Sequence, residues 1–134
     1  MPSWLVTAAI AGVLARILLA LFARWNYDMD SWNIVAGIME RGGDLYHETH
    51  RYNYSPIWAY VLHALHRLAS STGWPFYAVV RLCIVAFDVS LGLLLLLCGR
   101  CSATGQGRRA GLAYLANPVA ILISGINAQF ESVA

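Results

Sequence analysis

Two carboxylates, Asp28 and Asp30, stand either side of Met29 in the segment Arg24-Trp25-Asn26-Tyr27-Asp28-Met29-Asp30-Ser31-Trp32. That segment directly follows an apolar stretch, residues 4–23, interrupted only by Thr7 and Arg16. Carboxylates held so near hydrocarbon are costly, and such groups mark functional sites by default. Three chemistries suit the pair. Carboxylate oxygens bind hard divalent cations. One aspartate can act as general base on an acceptor hydroxyl. Both can also be acids that complement the dipole at a helix N-terminus. The pair suits either a divalent cation, with Asp28 and Asp30 as its ligands, or a metal-free role, and the sequence leaves both open.

Other residues could join them. The cluster His47-Glu48-Thr49-His50-Arg51 offers either imidazoles at i, i+3 for a metal or the polar rim of a binding surface. Arg51 carries the planar fork that recognises phosphate, and it and His50 are candidate substrate ligands. Tyr52, Tyr54, Trp58 and Tyr60 form an aromatic band. It reads as an interfacial belt, as a lipid-chain groove, or, at Tyr54 in particular, as a platform for a sugar. Near the end of the chain Asn117-Pro118 interrupts an apolar run, and Asn127, Gln129 and Glu131 follow. A broken helix with amides and a carboxylate at its mouth suits a ligand cavity, with Gln129 and Glu131 as further substrate contacts; ordinary helix-end polarity is the alternative. Arg81 and Asp88 lie two turns apart on one face of an apolar run and are expected to pair inside a helix bundle. Cys83, Cys98 and Cys101 show no metal-ligand spacing and read as buried or membrane-facing thiols.

The chain that positions these groups has 134 residues, 59% of them hydrophobic and 12% charged, with a mean hydropathy of +0.57. Soluble domains carry about 25% charged residues, so the composition is that of an integral membrane protein. All nine basic residues are Arg and the net charge is +2. No basic stripe exists for nucleic acid to follow. The first apolar stretch is too long for a signal-peptide core and has no small-residue cleavage site, so it reads as a retained anchor.

Residues 74–98 exceed the roughly 20 residues needed to cross a bilayer, and residues 111–126 form a shorter, proline-interrupted span. Residues 54–70 carry His63, His66 and Arg67 in their second half and suit a helix lying in the interface. Within 24–73, Asp30 or Ser31 is placed to cap a helix over 31–41, which Gly42-Gly43 ends. Residues 45–53 read as a polar connector, and Ser55-Pro56 opens the second in-plane helix. Three Arg fall within the twelve residues 99–110, whereas three are diluted over thirty at 24–53 among five carboxylates. The denser loop is the cytoplasmic one. The first external loop, with its in-plane helices, and the exit at 127–134 then lie on the opposite side. The pattern breaks off at Ala134 without a closing signal, as expected of the front part of a longer protein.

In this order the motifs resemble a known family. They run Tyr27-Asp28-Met29-Asp30, Arg41-Gly42-Gly43 with Leu45-Tyr46, Arg51-Tyr52-Asn53-Tyr54-Ser55-Pro56, Phe87-Asp88, a basic loop, Asn117-Pro118 and Gln129-Phe130-Glu131-Ser132. From residue 4 to 134 the chain is similar to the N-terminal part of GT-C glycosyltransferases, multi-span enzymes that use polyprenyl-phosphate sugars. The likeness is strongest to the mannosyltransferase that adds the first mannose of GPI anchors and to uncharacterised bacterial relatives. It implies an all-α, GT-C-like membrane fold with about three spans and two membrane-parallel helices in the first external loop, truncated relative to the eight or more spans of the family. It also implies catalytic aspartates in that loop, matched here by Asp28 and Asp30. Asp28 carries the more weight, because the bacterial relatives do not all keep the second.

The implied activity is inverting transfer of a hexose from a polyprenyl-phosphate sugar to a glycan or lipid acceptor outside the cytoplasm, in the inner membrane if the source is bacterial. The expected partners are donor, acceptor and membrane lipids, and no nucleic acid. The rival is a non-enzymatic membrane protein: a transporter fragment, or a scaffold subunit whose Arg81 and Asp88 meet a partner helix. A transporter would spread polar groups near mid-bilayer over several helices, whereas here they gather at one surface. With the native cysteines replaced, a Gly105→Cys label is expected to react only from the cytoplasmic side. Labelling only from outside would reverse the topology.

Overall fold

Leu5, Ala9, Gly12, Arg16 and Ala20 recur every three or four residues, which places them on one face of a helix. They are the buried residues of α1 (Ser3–Phe22), while Ile10, Leu14, Leu18 and Phe22 are exposed. The computed structural model describes residues 3–23, 26–99 and 106–127; all of its elements are helices, and no strand occurs among these residues. After α1 come α2 (Tyr27–Glu40), α3 (Leu45–Glu48), α4 (Pro56–Thr72), α5 (Phe76–Cys98), α6 (Gln106–Leu115) and α7 (Pro118–Leu122). The last runs into a π-helical turn, Ile123–Asn127. With 20 and 23 residues, α1 and α5 reach about 30 and 35 Å at 1.5 Å per residue. Both are long and apolar enough to cross a membrane. A third such span exists if α6 and the segment after it count as one, bent by 42° at the break.

The chain divides into two units, Met1–Ala23 with Arg81–Ala134, and Arg24–Val80. In the first, α1 packs against α6, α7 and the π-turn. Leu5 and Ala9 meet Leu112 and Leu115, with Val13, Val89 and Leu96 around them. A Cβ added at Gly12 would collide with the carbonyl oxygen of Leu115, so only glycine allows this approach.

The break at Asn117-Pro118 explains what the approach is for. Pro118 has no N–H, so the Tyr114 carbonyl loses its helical donor and takes the Asn117 N–H at 3.1 Å instead. The Val119 N–H is claimed by Asn117 Oδ1 at 2.9 Å, which leaves the Leu115 carbonyl without its helical donor. Arg16 Nη1 donates to that carbonyl at 2.5 Å, and Nη2 reaches the Tyr114 carbonyl at 3.4 Å. Arg16 Nε donates to Asp88 Oδ2 at 2.7 Å, and the Tyr114 hydroxyl donates to Asp88 Oδ1. Arg16 and Asp88 are wholly buried.

The expected pairing of Arg81 with Asp88 is therefore not the one formed. Arg81 Nη1 donates to the Ala23 carbonyl, and Asp88 is taken by Arg16 and Tyr114. Arg16 wins because its guanidinium can serve the carboxylate and the freed carbonyls together. Arg108 and Arg109, assigned to the basic loop, are exposed in the first turn of α6.

In the second unit α2 packs on α4, where Trp32 meets Trp58, and Trp32, Val35, Ala36 and Ile38 of α2 and Ala59 and Leu62 of α4 are buried. His66 of α4 lies 3.1 Å from Glu40 of α2 and edge-on to Phe76. The start of α2 differs from the sequence expectation. Asn26, in extended conformation, caps the helix by accepting the Asp28 N–H at 2.7 Å, so neither Asp30 nor Ser31 is the cap. The connector 45–53 contains the short helix α3, capped by Asp44, and α4 begins at Pro56 as expected and ends at Gly73 with φ +72°.

Arg16→Met would leave Asp88 and the Leu115 carbonyl buried without their donor. It is expected to lower stability by about 3–5 kcal/mol, with Arg16→Lys recovering part. Thermal unfolding in detergent, followed by circular dichroism, measures this; an unchanged midpoint would show that neither group depends on Arg16.

Candidate functional site

Starting α2 at Tyr27 puts Asp28 and Asp30 both in its first turn, where acids complement the helix dipole. At this spacing their side chains leave the helix roughly 200° apart. They therefore do different things. Asp28 lines a cavity of about 260 Å³, together with Tyr27, Ser31 and Trp32 of the same helix. Asp30 is turned to Arg51, whose Nη1 donates to Asp30 Oδ2 at 3.2 Å.

The other wall comes from the segment before α4, through His50, Arg51, Asn53 and Tyr54. A turn in which Thr49 Oγ1 accepts the Arg51 N–H shapes its start. Arg51 then fastens the segment to α2: besides Asp30, its Nε donates to the Tyr27 hydroxyl at 3.2 Å, and its guanidinium carbon lies 4.3 Å from the Tyr27 ring centroid. The Tyr27 hydroxyl first, and Asp30 with it, hold the guanidinium pKa above its ordinary value. A part-exposed ion pair of this kind orients groups more than it stabilises the fold.

Behind the cavity the aromatics form a chain. Trp32 meets Trp58 at 5.3 Å and Tyr54 at 6.0 Å, both edge to face, and Tyr54 leads to Tyr52 at 5.8 Å and on to Tyr46 at 6.1 Å. The band read as one belt in the sequence thus divides. Tyr52 is buried, with its hydroxyl donating to the Ser55 carbonyl at 2.6 Å, whereas Tyr60 is exposed. Burial pushes the Tyr52 phenol up to about 12, with Tyr46 adding to the effect.

The structure therefore brings Asp28, His50, Arg51 and Tyr54 to one cavity and sets Asp30 beside it. Gln129 and Glu131 lie outside the described residues, as do Arg24, Trp25, Arg100 and Cys101. The HETHR cluster does not converge: Glu48 pairs with Arg41, His47 is exposed on α3, and only His50 and Arg51 reach the cavity. Among the described residues no three His, Cys, Asp or Glu side chains gather as a metal site. The divergence of Asp28 from Asp30 also disfavours a chelate built on that pair. Tyr27, Ser31, Trp32 and Asn53 were not singled out as site residues. A helix counted from Asn26 would have revealed Asp28, Ser31 and Trp32 on one face, at i, i+3 and i+4.

Comparison of the chain with protein-family models, with curated proteins and with solved structures finds no match.

The raised phenol makes a checkable statement about pH. Tyr52 holds its proton more tightly when folded, so its contribution to stability is full below the ordinary value of 10.0 and is lost as pH rises through about 12. In a phenolate absorbance titration, Tyr52→Phe is expected to remove one late component and leave the earlier ones.

Proposed function

We propose that this chain is the front part of a multi-pass membrane glycosyltransferase of the GT-C kind, resembling mannosyltransferases. It would move a hexose from a polyprenyl-phosphate donor to an acceptor on the extracytoplasmic face. The observation that carries this reading is the cavity that gathers Asp28, His50, Arg51 and Tyr54. A carboxylate beside aromatic side chains and amide and hydroxyl groups is suited to an acceptor hydroxyl.

Asp28 is the general base. It takes the proton of the acceptor hydroxyl as that oxygen attacks the anomeric carbon, and the bond from that carbon to the phosphate oxygen breaks. Polyprenyl phosphate leaves with the electron pair. A single displacement of this type inverts the configuration. Asp30 acts on Arg51 and does not face the cavity, which assigns the two aspartates separate roles. In this reading α1, α5 and the bent segment from α6 onward are the spans, α2 and α4 lie along the membrane, and the segment 99–110 is cytoplasmic.

The scaffold alternative relied on charges seeking a partner helix. Both oxygens of Asp88 are engaged within the chain, by Arg16 and Tyr114, which weakens that alternative.

Asp28→Asn in the intact protein, assayed in membranes with a polyprenyl-phosphate hexose, is expected to lower turnover about 10²–10⁴-fold. Asp30→Asn is expected to cost less. Undiminished transfer by Asp28→Asn would sink the assignment.

A further inference from the structure

We infer that a second pocket, where α2 ends and α3 and α4 begin, binds a quaternary ammonium group, with Tyr46 and Tyr60 as aromatic walls and Asp44 as counter-charge. The pocket holds about 220 Å³, and Met39, Leu45 and Ala59 contribute apolar surface to it. It shares no lining residue with the cavity beside Asp28. A cation over the face of a tyrosine is drawn to the negative face of the ring, and quaternary ammonium groups are the ligands that aromatic cages take. Tyr60 is exposed and has neither a hydrogen bond nor a ring contact through its side chain among the described residues. Tyr46 is exposed as well, but its place is fixed. Its hydroxyl donates to the Tyr54 carbonyl at 3.4 Å, and its ring lies 6.1 Å from that of Tyr52.

The charge at this pocket is negative. Asp44 Oδ1 accepts the N–H groups of Tyr46 and His47, which anchors the carboxylate. Its Oδ2 accepts no hydrogen bond among the described residues, which leaves that oxygen to face a cation. No arginine or histidine lines the pocket, and the adjacent Arg41 is paired with Glu48. An anion would find neither a positive charge nor a side-chain N–H there. A bare ammonium is strongly hydrated, and one carboxylate is a poor substitute for that shell. A trimethylammonium group instead turns methyls to Met39, Leu45 and Ala59 while its diffuse charge meets the rings and Asp44. At about 220 Å³ the space lies below the roughly 300–1,000 Å³ of sites for drug-sized ligands. It suits such a group and not a whole lipid. The headgroup of a membrane lipid and a soluble ammonium compound both carry this chemistry. The inference stands on the pocket and does not rest on the glycosyltransferase reading.

The test is saturation-transfer NMR with choline on the intact protein, in a maltoside detergent at constant ionic strength. Dimethylbutanol, the uncharged carbon analogue of choline, is the control. The expected result is saturable choline binding, with the alcohol about 10-fold weaker or more. Tyr60→Leu, a change at an exposed position, should weaken choline about 3–10-fold, whereas Tyr60→Phe keeps the ring and the binding. Asp44→Asn preserves a good cap for α3 but removes the charge, and should weaken choline by a similar factor. Short-chain phosphatidylcholine, added as monomers, separates the two sources. Tighter binding than choline assigns the pocket to a lipid headgroup, and equal or weaker binding assigns it to a soluble ammonium compound; both support the inference. Choline binding that is absent, or that dimethylbutanol matches, overturns it. So does binding unchanged in Tyr60→Leu or in Asp44→Asn when circular dichroism shows the fold intact.

Discussion

Away from water, every backbone carbonyl must find a donor within the protein, and Asn117-Pro118 removes the donors of two. The guanidinium of Arg16 reaches both carbonyls and also holds Asp88. Much of the first unit follows from that one group. Gly12 is needed because a side chain there would collide with the carbonyl Arg16 serves. The Tyr114 hydroxyl completes the carboxylate, so a pair of buried charges is enclosed with partners on both sides. Alone, either charge would be expensive at this depth. Together they let a helix break persist in a buried place, with its freed carbonyls served from α1.

The second unit shows the same economy at smaller scale. Asn26 begins α2 one turn earlier than an aspartate cap would, and that shift turns Asp28 and Asp30 to different sides. One faces the cavity while the other holds Arg51, which ties the 50–54 segment to α2. A motif that looks like a matched pair in one dimension becomes one carboxylate on the cavity and one on the arginine beside it.

Much of the helical layout was legible in the residues. The apolar runs at 4–23 and 74–98 lie within two residues of α1 and α5 at each end. Pro56 and Pro118 mark helix starts, because a missing N–H is harmless only in a first turn. Of the candidate site, Asp28, His50, Arg51 and Tyr54 were named from residue type and do share a cavity. The start of α2 was less legible, since Asn26, Asp30 and Ser31 are all able N-caps and the choice depends on how Trp32 and Val35 must face α4. Trp32 and Asn53 were missed because aromatic and amide residues beside a membrane have ordinary interfacial uses.

By itself the sequence determined which stretches are long and apolar enough to span a membrane, where glycine and proline end helices, and which polar groups are available for chemistry. Those properties depend on neighbours a few residues away. Only the tertiary structure decided that Asp88, 72 residues from Arg16, takes that partner and not Arg81, and that Asp28 lines the cavity while Asp30 takes Arg51. Such choices depend on where helices cross and how closely they approach, and no local pattern along the chain carries that distance.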